Sequence, residues 1–158
     1  MMLPKLYLET SVTSYLVARP SRDVVTAGRQ EVTRIWWEEH RSRYDLFISA
    51  YVRTEAGNGD ITYARLRLDA LTGIPEAEMT EAAMRLAQTL IEPGPIPTKA
   101  TLDAFHIAAA VSVGADYLLT WNFKHLANAA LRTRIEEICR DSGYEPPIIC
   151  TPEELDAL

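Results

Sequence analysis

Four short apolar runs, separated by long stretches of helical character, constrain the fold of this chain more than any other feature. The runs cover residues 6–8, 46–49, 117–121 and 147–150. Short buried runs of this kind are typical of strands. Strands separated by helices pair in parallel, because a parallel crossover needs about a dozen residues and usually a helix. The pattern therefore predicts a three-layer α/β/α sandwich around a short parallel sheet.

Between these runs, apolar residues recur at the three- and four-residue spacing of amphipathic helices. Gly114 and Gly143 lie just past two helix ends, and Thr98 is a candidate N-cap. Thr151 to Glu154 is typical of a helix start, with a threonine cap, a proline first and a glutamate third. The predicted helices cover residues 24–39, about 49–56, 61–71, 77–91, 98–113 and 131 to about 142, and a last one follows residue 151.

Composition narrows the class of protein. The chain of 158 residues fits one domain, residues 1–158, with 47% apolar and 24% charged residues, which is ordinary for a globular protein. No apolar run approaches the roughly 20 residues of a membrane span, and the N-terminus lacks the pattern of a secretory signal, so we expect a cytoplasmic protein without a membrane segment. The net charge of −6 argues against a protein that coats nucleic acid, but allows an enzyme with one local basic patch.

The two cysteines, Cys139 and Cys150, form neither a CxxC pair nor a metal-finger spacing. One falls in a predicted helix and the other at a predicted strand end. We interpret both as small buried hydrophobic residues that stay reduced.

Polar residues cluster after the predicted strands. Glu9 follows the first strand directly, Glu55 lies just under two helical turns beyond the second, and Asn122 follows the third. Asp103 lies in the helix that leads into the third strand. Ligands of open parallel sheets bind beyond the carboxyl ends of the strands, so three carboxylates and an amide can converge at one edge of the sheet.

Simpler explanations exist for two of these acids. Glu9 fits a helix N-terminus, where the macrodipole favours negative charge, and Glu55 fits a solvated helix face. Asp103 is harder to explain, because its neighbours are nearly all apolar and an ionised carboxylate there needs a partner or a cation. We interpret His106 as a hydrogen-bonded core residue, and His125 forms no metal-ligand spacing with it. Three basic residues after the third strand either contact phosphate or form a solvated face: Lys124, Arg132 and Arg134.

Four segments, in order, resemble the sequence blocks of the PIN domain family. They are Tyr7–Val12, Ile48-Ser49 followed by Glu55, Leu102–Ala110, and Tyr117–Leu126. The third is the most specific match, and the fourth resembles a VapC-like branch. The resemblance implies a PIN-like fold and a single-strand ribonuclease that uses Mg²⁺ or Mn²⁺. It also implies a toxin that forms a homodimer, acts on RNA and is silenced by a small antitoxin protein.

The same resemblance assigns roles to individual residues. The implied metal ligands are Glu9, Glu55 and Asp103, with Asn122 as a fourth catalytic position and Thr10, Ser11 and Thr120 as supporting hydroxyls.

Two residues depart from the family pattern. They are Glu9, where the family usually has aspartate, and Asn122, where the position is often acidic. These departures leave open a catalytically degenerate module that binds RNA or protein without cleavage. A dinucleotide-binding enzyme is disfavoured, since no GxGxxG follows the first strand.

The glutamate at position 9 carries a further expectation. Its extra methylene displaces the carboxylate by roughly an ångström relative to aspartate, and a misplacement of that size can cost about a hundredfold in rate. From the sequence alone, we therefore expect weak activity with a preference for Mn²⁺, and we expect Glu9→Asp to raise the activity supported by Mg²⁺.

Overall fold

A parallel sheet organises the computed structural model, which describes residues 2–92 and 94–155. Within those residues the strands are β1 (Lys5–Leu8), β2 (Asp45–Phe47), β3 (Tyr117–Leu119) and β4 (Ile148–Cys150), and they pair in the order β2-β1-β3-β4. All three pairings are parallel. The predicted three-layer α/β/α sandwich is confirmed.

The helices of the described chain are α1 (Thr10–Val17), α2 (Val24–Ile35), α3 (Ala50–Ala56), α4 (Ile61–Ala70), α5 (Glu81–Ile91), α6 (Thr101–Ser112), α7 (Ala129–Asp141) and α8 (Pro152–Leu155). They form two main packing groups: α1 packs against α2, α3 and α4, and α5 packs against α6 and α7. The two groups meet where α3 contacts α6. The helix α2 continues as a π-helical turn and then a 3-10 turn before β2.

The core lies around β1, β3 and α6. Residues 6–8 of β1 are fully buried, and so is nearly every position of α6 from 104 to 111. A helix that is apolar all round belongs in the interior, and α6 accordingly contacts α3, α5 and β3. This location explains why Asp103 and His106 stand out, because a polar side chain on α6 is close to the core of the protein.

Several local predictions are confirmed. Thr151 Oγ1 accepts a hydrogen bond from the Glu154 N–H (3.3 Å), and Glu154 Oε1 accepts one from the Thr151 N–H (3.1 Å), which forms the predicted capping box. Gly114 and Gly143 adopt positive φ just past α6 and α7.

The two cysteines also behave as predicted. Both are buried and free. Burial raises the pKa of the Cys139 thiol to about 11 and that of Cys150 to about 12, so both thiols are unreactive at neutral pH.

Three elements differ from the predictions. The helix α1 was not among the predicted helices, although Glu9, which is its N-cap, fitted a helix N-terminus. The helix α5 begins at Glu81 rather than at 77, because Ala77 instead donates its N–H to the Ile48 carbonyl (2.6 Å) beside the sheet. Thr98 begins a 3-10 turn, so it does not cap α6, which begins at Thr101. None of the helices in the described ranges combines the length and apolar character that crossing a membrane requires.

Candidate metal centre

The candidate site lies where the chain leaves β1 and β3 in opposite directions. These strands are neighbours, but β1 leads to β2 on one side and β3 leads to β4 on the other. Such a switch point opens a crevice at the carboxyl ends of the two strands. Glu9 follows β1 there, and its N–H donates to the Leu119 carbonyl at the end of β3 (3.1 Å).

Glu9 is buried and held at one of its two oxygens. It is the N-cap of α1, and its Oε1 accepts from the Ser11 backbone N–H (3.2 Å) and the Thr120 hydroxyl (2.6 Å). The Ser11 hydroxyl also donates to Oε1. Every hydrogen bond recorded for this carboxylate within residues 2–92 and 94–155 reaches Oε1, so Oε2 is the oxygen available to another ligand.

Glu55 is positioned from two other elements. Its Oε1 accepts from the Thr10 hydroxyl (2.8 Å) and from His106 Nε2 (2.5 Å). The His106 side chain is fully buried, and its Nδ1 lies 2.8 Å from the Tyr7 hydroxyl, which lies 2.7 Å from Ser49 Oγ. The interpretation of His106 as a hydrogen-bonded core residue is confirmed, and its bonds form a continuous chain from Ser49 to Glu55.

The charged forms of Glu55 and His106 stabilise each other. Burial lowers the pKa of His106, but the hydrogen bond to Glu55 and the negative charges of Glu9, Glu55 and Asp103 outweigh it and raise that pKa above its usual value. Burial acts to raise the pKa of Glu55, but the hydrogen bond and charge of His106 and the Thr10 hydroxyl bring it below its usual value. The pair therefore favours an ionised carboxylate beside a protonated imidazole.

One group of side chains has the geometry to hold a cation. Among the described residues, Glu9, Glu55 and His106 each offer one ligand atom, and these atoms lie within 4.8 Å of one another. The set contains two carboxylates and an imidazole. Carboxylates suit Mg²⁺ and Mn²⁺, while an imidazole suits transition metals better than Mg²⁺. A metal ligand must be deprotonated, so a cation could bind His106 only after Nε2 releases the proton that it shares with Glu55. With that proton released, the residues present fit a divalent cation such as Mn²⁺.

Asp103 lies in a second, adjoining hydrogen-bond set. Its Oδ1 accepts from Asn122 Nδ2 (3.0 Å) and its Oδ2 from His125 Nδ1 (3.0 Å). Asn122 also forms a turn, because its Oδ1 accepts from the backbone N–H groups of Lys124 and His125 (3.1 Å each). In the described chain Asp103 is outside the group of three ligand atoms, although its charge acts on His106.

The sequence left two contributors to the site unassigned. His106 was not predicted as a ligand, although its position three residues after Asp103 places both on one face of α6. His125 was set aside for lack of a metal-ligand spacing, and it instead binds Asp103.

Of the three basic residues after β3, Arg132 and Arg134 pair with acidic side chains (3.4 and 3.5 Å), whereas Lys124 is exposed.

We expect Tyr7→Phe to lower the free energy of unfolding by about 1–2 kcal/mol. The change removes a buried hydroxyl that both Ser49 and His106 contact, and burial raises the pKa of this hydroxyl, so it stays protonated. Urea denaturation measures the effect. Tyr51→Phe is the matched control, since among residues 2–92 and 94–155 the hydrogen-bond partner of that hydroxyl is the Met84 sulfur (3.8 Å) alone. Equal stability of both variants would contradict a structural role for the Tyr7 hydroxyl.

No protein-family model matches this chain, and no curated protein matches it. Among solved structures, the chain is similar to one from the crystal structure of VapBC2 from Rickettsia felis bound to a DNA fragment from their promoter. The TM-score is 0.52 at 14% sequence identity, and the match covers 92% of this chain and 97% of that chain. At this identity the similarity shows the fold alone.

Proposed function

We propose that this chain is a metal-dependent ribonuclease that cleaves single-stranded RNA, and that it is the toxin of a VapC-type toxin–antitoxin pair. The observation that carries the proposal is the group of Glu9, Glu55 and His106 in the crevice between β1 and β3. The fold shared with a chain of a VapBC2 complex supports it, as does the resemblance of four sequence blocks to PIN domains. Asp103 and Asn122 complete the proposed site, with Mg²⁺ or Mn²⁺ as the cofactor.

The residues around the crevice are suited to this chemistry. A divalent cation, when bound, would supply a Lewis acid for phosphate oxygens and an activated water. The Thr10 hydroxyl holds Glu55, and the hydroxyls of Ser11 and Thr120 hold Glu9, so both carboxylates are fixed before a ligand arrives. Precise positioning of this kind is what in-line attack on a phosphate requires.

A second candidate is the catalytically degenerate module, which binds RNA or protein without cutting. One observation favours it. The carboxylates already accept hydrogen bonds from the protein itself. His106 donates to Glu55, and Asn122 and His125 donate to Asp103. Carboxylates that are paired and hydrogen-bonded in this way can be buried without a cation.

Cleavage of single-stranded RNA by the purified protein decides between the two functions. The ribonuclease is expected to cut with Mn²⁺, more slowly with Mg²⁺, and not in EDTA. Calorimetric titration of the same protein should show Mn²⁺ binding. Binding of RNA without cleavage in either cation would support the degenerate module and overturn the ribonuclease.

We expect Glu9→Asp to lower cleavage with both ions, by about a hundredfold. This is the reverse of the effect expected from the sequence alone. The shorter side chain withdraws its carboxylate by roughly an ångström from the bonds to Ser11 and Thr120 that hold Glu9 in place.

Cleavage rates across a titration of each metal measure the effect. Glu9→Gln separates length from charge, because it keeps the oxygen that accepts those bonds and loses the charge. A faster Glu9→Asp enzyme with Mg²⁺ would show that the glutamate strains the site.

The partner in this proposal is a small antitoxin protein that covers the crevice. A cleft lined by carboxylates suits an inserted arginine, whose planar guanidinium binds carboxylates through two hydrogen bonds. We further propose one domain across residues 1–158, a homodimer and a cytoplasmic location. Co-expression with the adjacent small reading frame should restore growth, and toxicity that persists with that partner bound would contradict the assignment.

A further inference from the structure

An exposed aromatic ring follows directly after Asn122, the residue that holds Asp103. Phe123 retains 41% of its exposure. The Arg29 guanidinium from α2 lies over its ring at 4.4 Å from the centroid. The Trp121 ring is 6.0 Å from that of Phe123, and the Tyr15 ring is 5.6 Å from that of Trp121. These side chains form an aromatic cluster of Tyr15, Trp121, Phe123 and Arg29.

The inner part of this cluster is fixed in place. Trp121 is only 3% exposed, and its Nε1 donates to the buried Thr33 hydroxyl (2.8 Å). Its backbone N–H donates to Ser11 Oγ (2.7 Å), and the same hydroxyl donates to Glu9. One serine therefore joins the aromatic cluster directly to a candidate metal ligand, and the cluster has a set position relative to the crevice.

Phe123 has cationic neighbours, whereas the chain as a whole is acidic. The chain carries a net charge of −6, which repels a polyanion. Two cationic residues flank Phe123, namely Arg29 against its ring and the exposed Lys124 next in sequence. An acidic protein that binds nucleic acid needs such a local positive patch, and here the patch contains an exposed ring.

We propose that Phe123 and Arg29 form a stacking subsite for one nucleobase of a single-stranded nucleic acid. The inference rests on the proposed function and deepens it, because it places the nucleotide next to the crevice. Stacking suits the site, since every base has a π-face that an aromatic ring can bind without regard to sequence. Arginine adds a cation–π contact and a charge for the backbone phosphate. Phe123 is thus a substrate-binding residue outside the carboxylate cluster.

The test uses short single-stranded oligoribonucleotides that carry 2-aminopurine at successive positions. Its fluorescence falls when the base stacks, so the signal reports the contact itself rather than cleavage. Measurements in EDTA on the full chain keep the RNA intact. We expect one labelled position to be quenched by the native protein. Phe123→Leu should abolish that quenching and weaken binding about tenfold, whereas Phe123→Trp should retain both.

Two arginine variants form a matched pair. Arg29→Gln removes the guanidinium over Phe123 and should weaken binding, most strongly at low salt. Arg41→Gln removes an equivalent guanidinium, which lies 4.6 Å from the centroid of the Trp37 ring, and should leave binding unchanged. Equal losses in both variants would mean that general charge, not stacking, binds the RNA, and would overturn the subsite.

The outcomes separate this inference from the function on which it rests. Cleavage by the native protein together with unaltered quenching in Phe123→Leu would overturn the subsite and leave the ribonuclease standing. Quenching that depends on Phe123, without cleavage in Mn²⁺ or Mg²⁺, would support the subsite and remove the ribonuclease. If Phe123→Leu lost binding to a protein partner but kept its RNA binding, the cluster would be a protein contact and the subsite would be overturned.

Discussion

Replacing Glu55 by glutamine is expected to reduce metal-dependent RNA cleavage by at least about a hundredfold. Loss of a residue that merely supports a ligand already costs about 10- to 100-fold in metal affinity or activity. Glu55 offers one of the three ligand atoms, so its loss should cost at least as much. Glutamine keeps the size of the side chain and an oxygen that can accept from Thr10 and His106, so the fold should persist.

Two measurements on Glu55→Gln separate binding from chemistry. Cleavage rates give the loss of activity, and calorimetric titration with Mn²⁺ gives the loss of affinity. Glu136→Gln is the matched control, because it neutralises a carboxylate of α7 whose nearest ion-pair contact is 3.9 Å long. Native Mn²⁺ affinity in Glu55→Gln would show that this carboxylate binds no cation.

Asp103→Asn is expected to reduce cleavage by up to about a hundredfold, while the protein stays folded. The substitution removes a negative charge that acts on His106 at the centre of the site. Asparagine retains an oxygen that can accept from the Asn122 amide, so the turn after β3 should remain. Removal of one of several clustered negative charges also lowers their mutual repulsion in the metal-free protein.

The partner of Asp103 supplies the control. His125→Gln breaks the same contact from the other side but leaves the charge of Asp103 in place, so we expect a smaller loss of activity. Thermal melting of both variants verifies that they are folded. Native cleavage by Asp103→Asn would remove this residue from the mechanism, and equal losses in both variants would show that the contact matters rather than the charge.

The sheet was predictable because its central strands are buried on both faces, and such strands appear in sequence as short apolar runs. The helix α1 was not predicted, because Thr10, Val12, Thr13 and Val17 are β-branched and have low helix propensity. Its packing against α2, α3 and α4 outweighs that propensity. Contacts between distant elements decide its conformation, and these do not show in local sequence.

The site was predictable to a similar degree. Topology and the family resemblance placed Glu9 and Glu55 near one edge, and the structure brings them together. The role of His106 depends on Tyr7, which precedes it by 99 positions, and on Glu55, which precedes it by 51. No periodicity in the sequence indicates which way an imidazole points between two such distant partners, so the sequence could not place His106 among the ligand atoms.

The short segment just past β3 makes many of the contacts that position the site. The Thr120 hydroxyl donates to Glu9, and Trp121 donates to Thr33 and so fixes the aromatic cluster. Asn122 and His125 hydrogen-bond to Asp103, and Phe123 lies exposed between them. The last backbone hydrogen bond of the sheet here runs from the Thr120 N–H to the Cys150 carbonyl (2.9 Å), so a single-residue insertion after Thr120 would leave the sheet whole. It would displace the side chains of Trp121, Asn122, Phe123 and His125 together. The length of this segment is therefore a constraint in its own right, beside the identities of its residues.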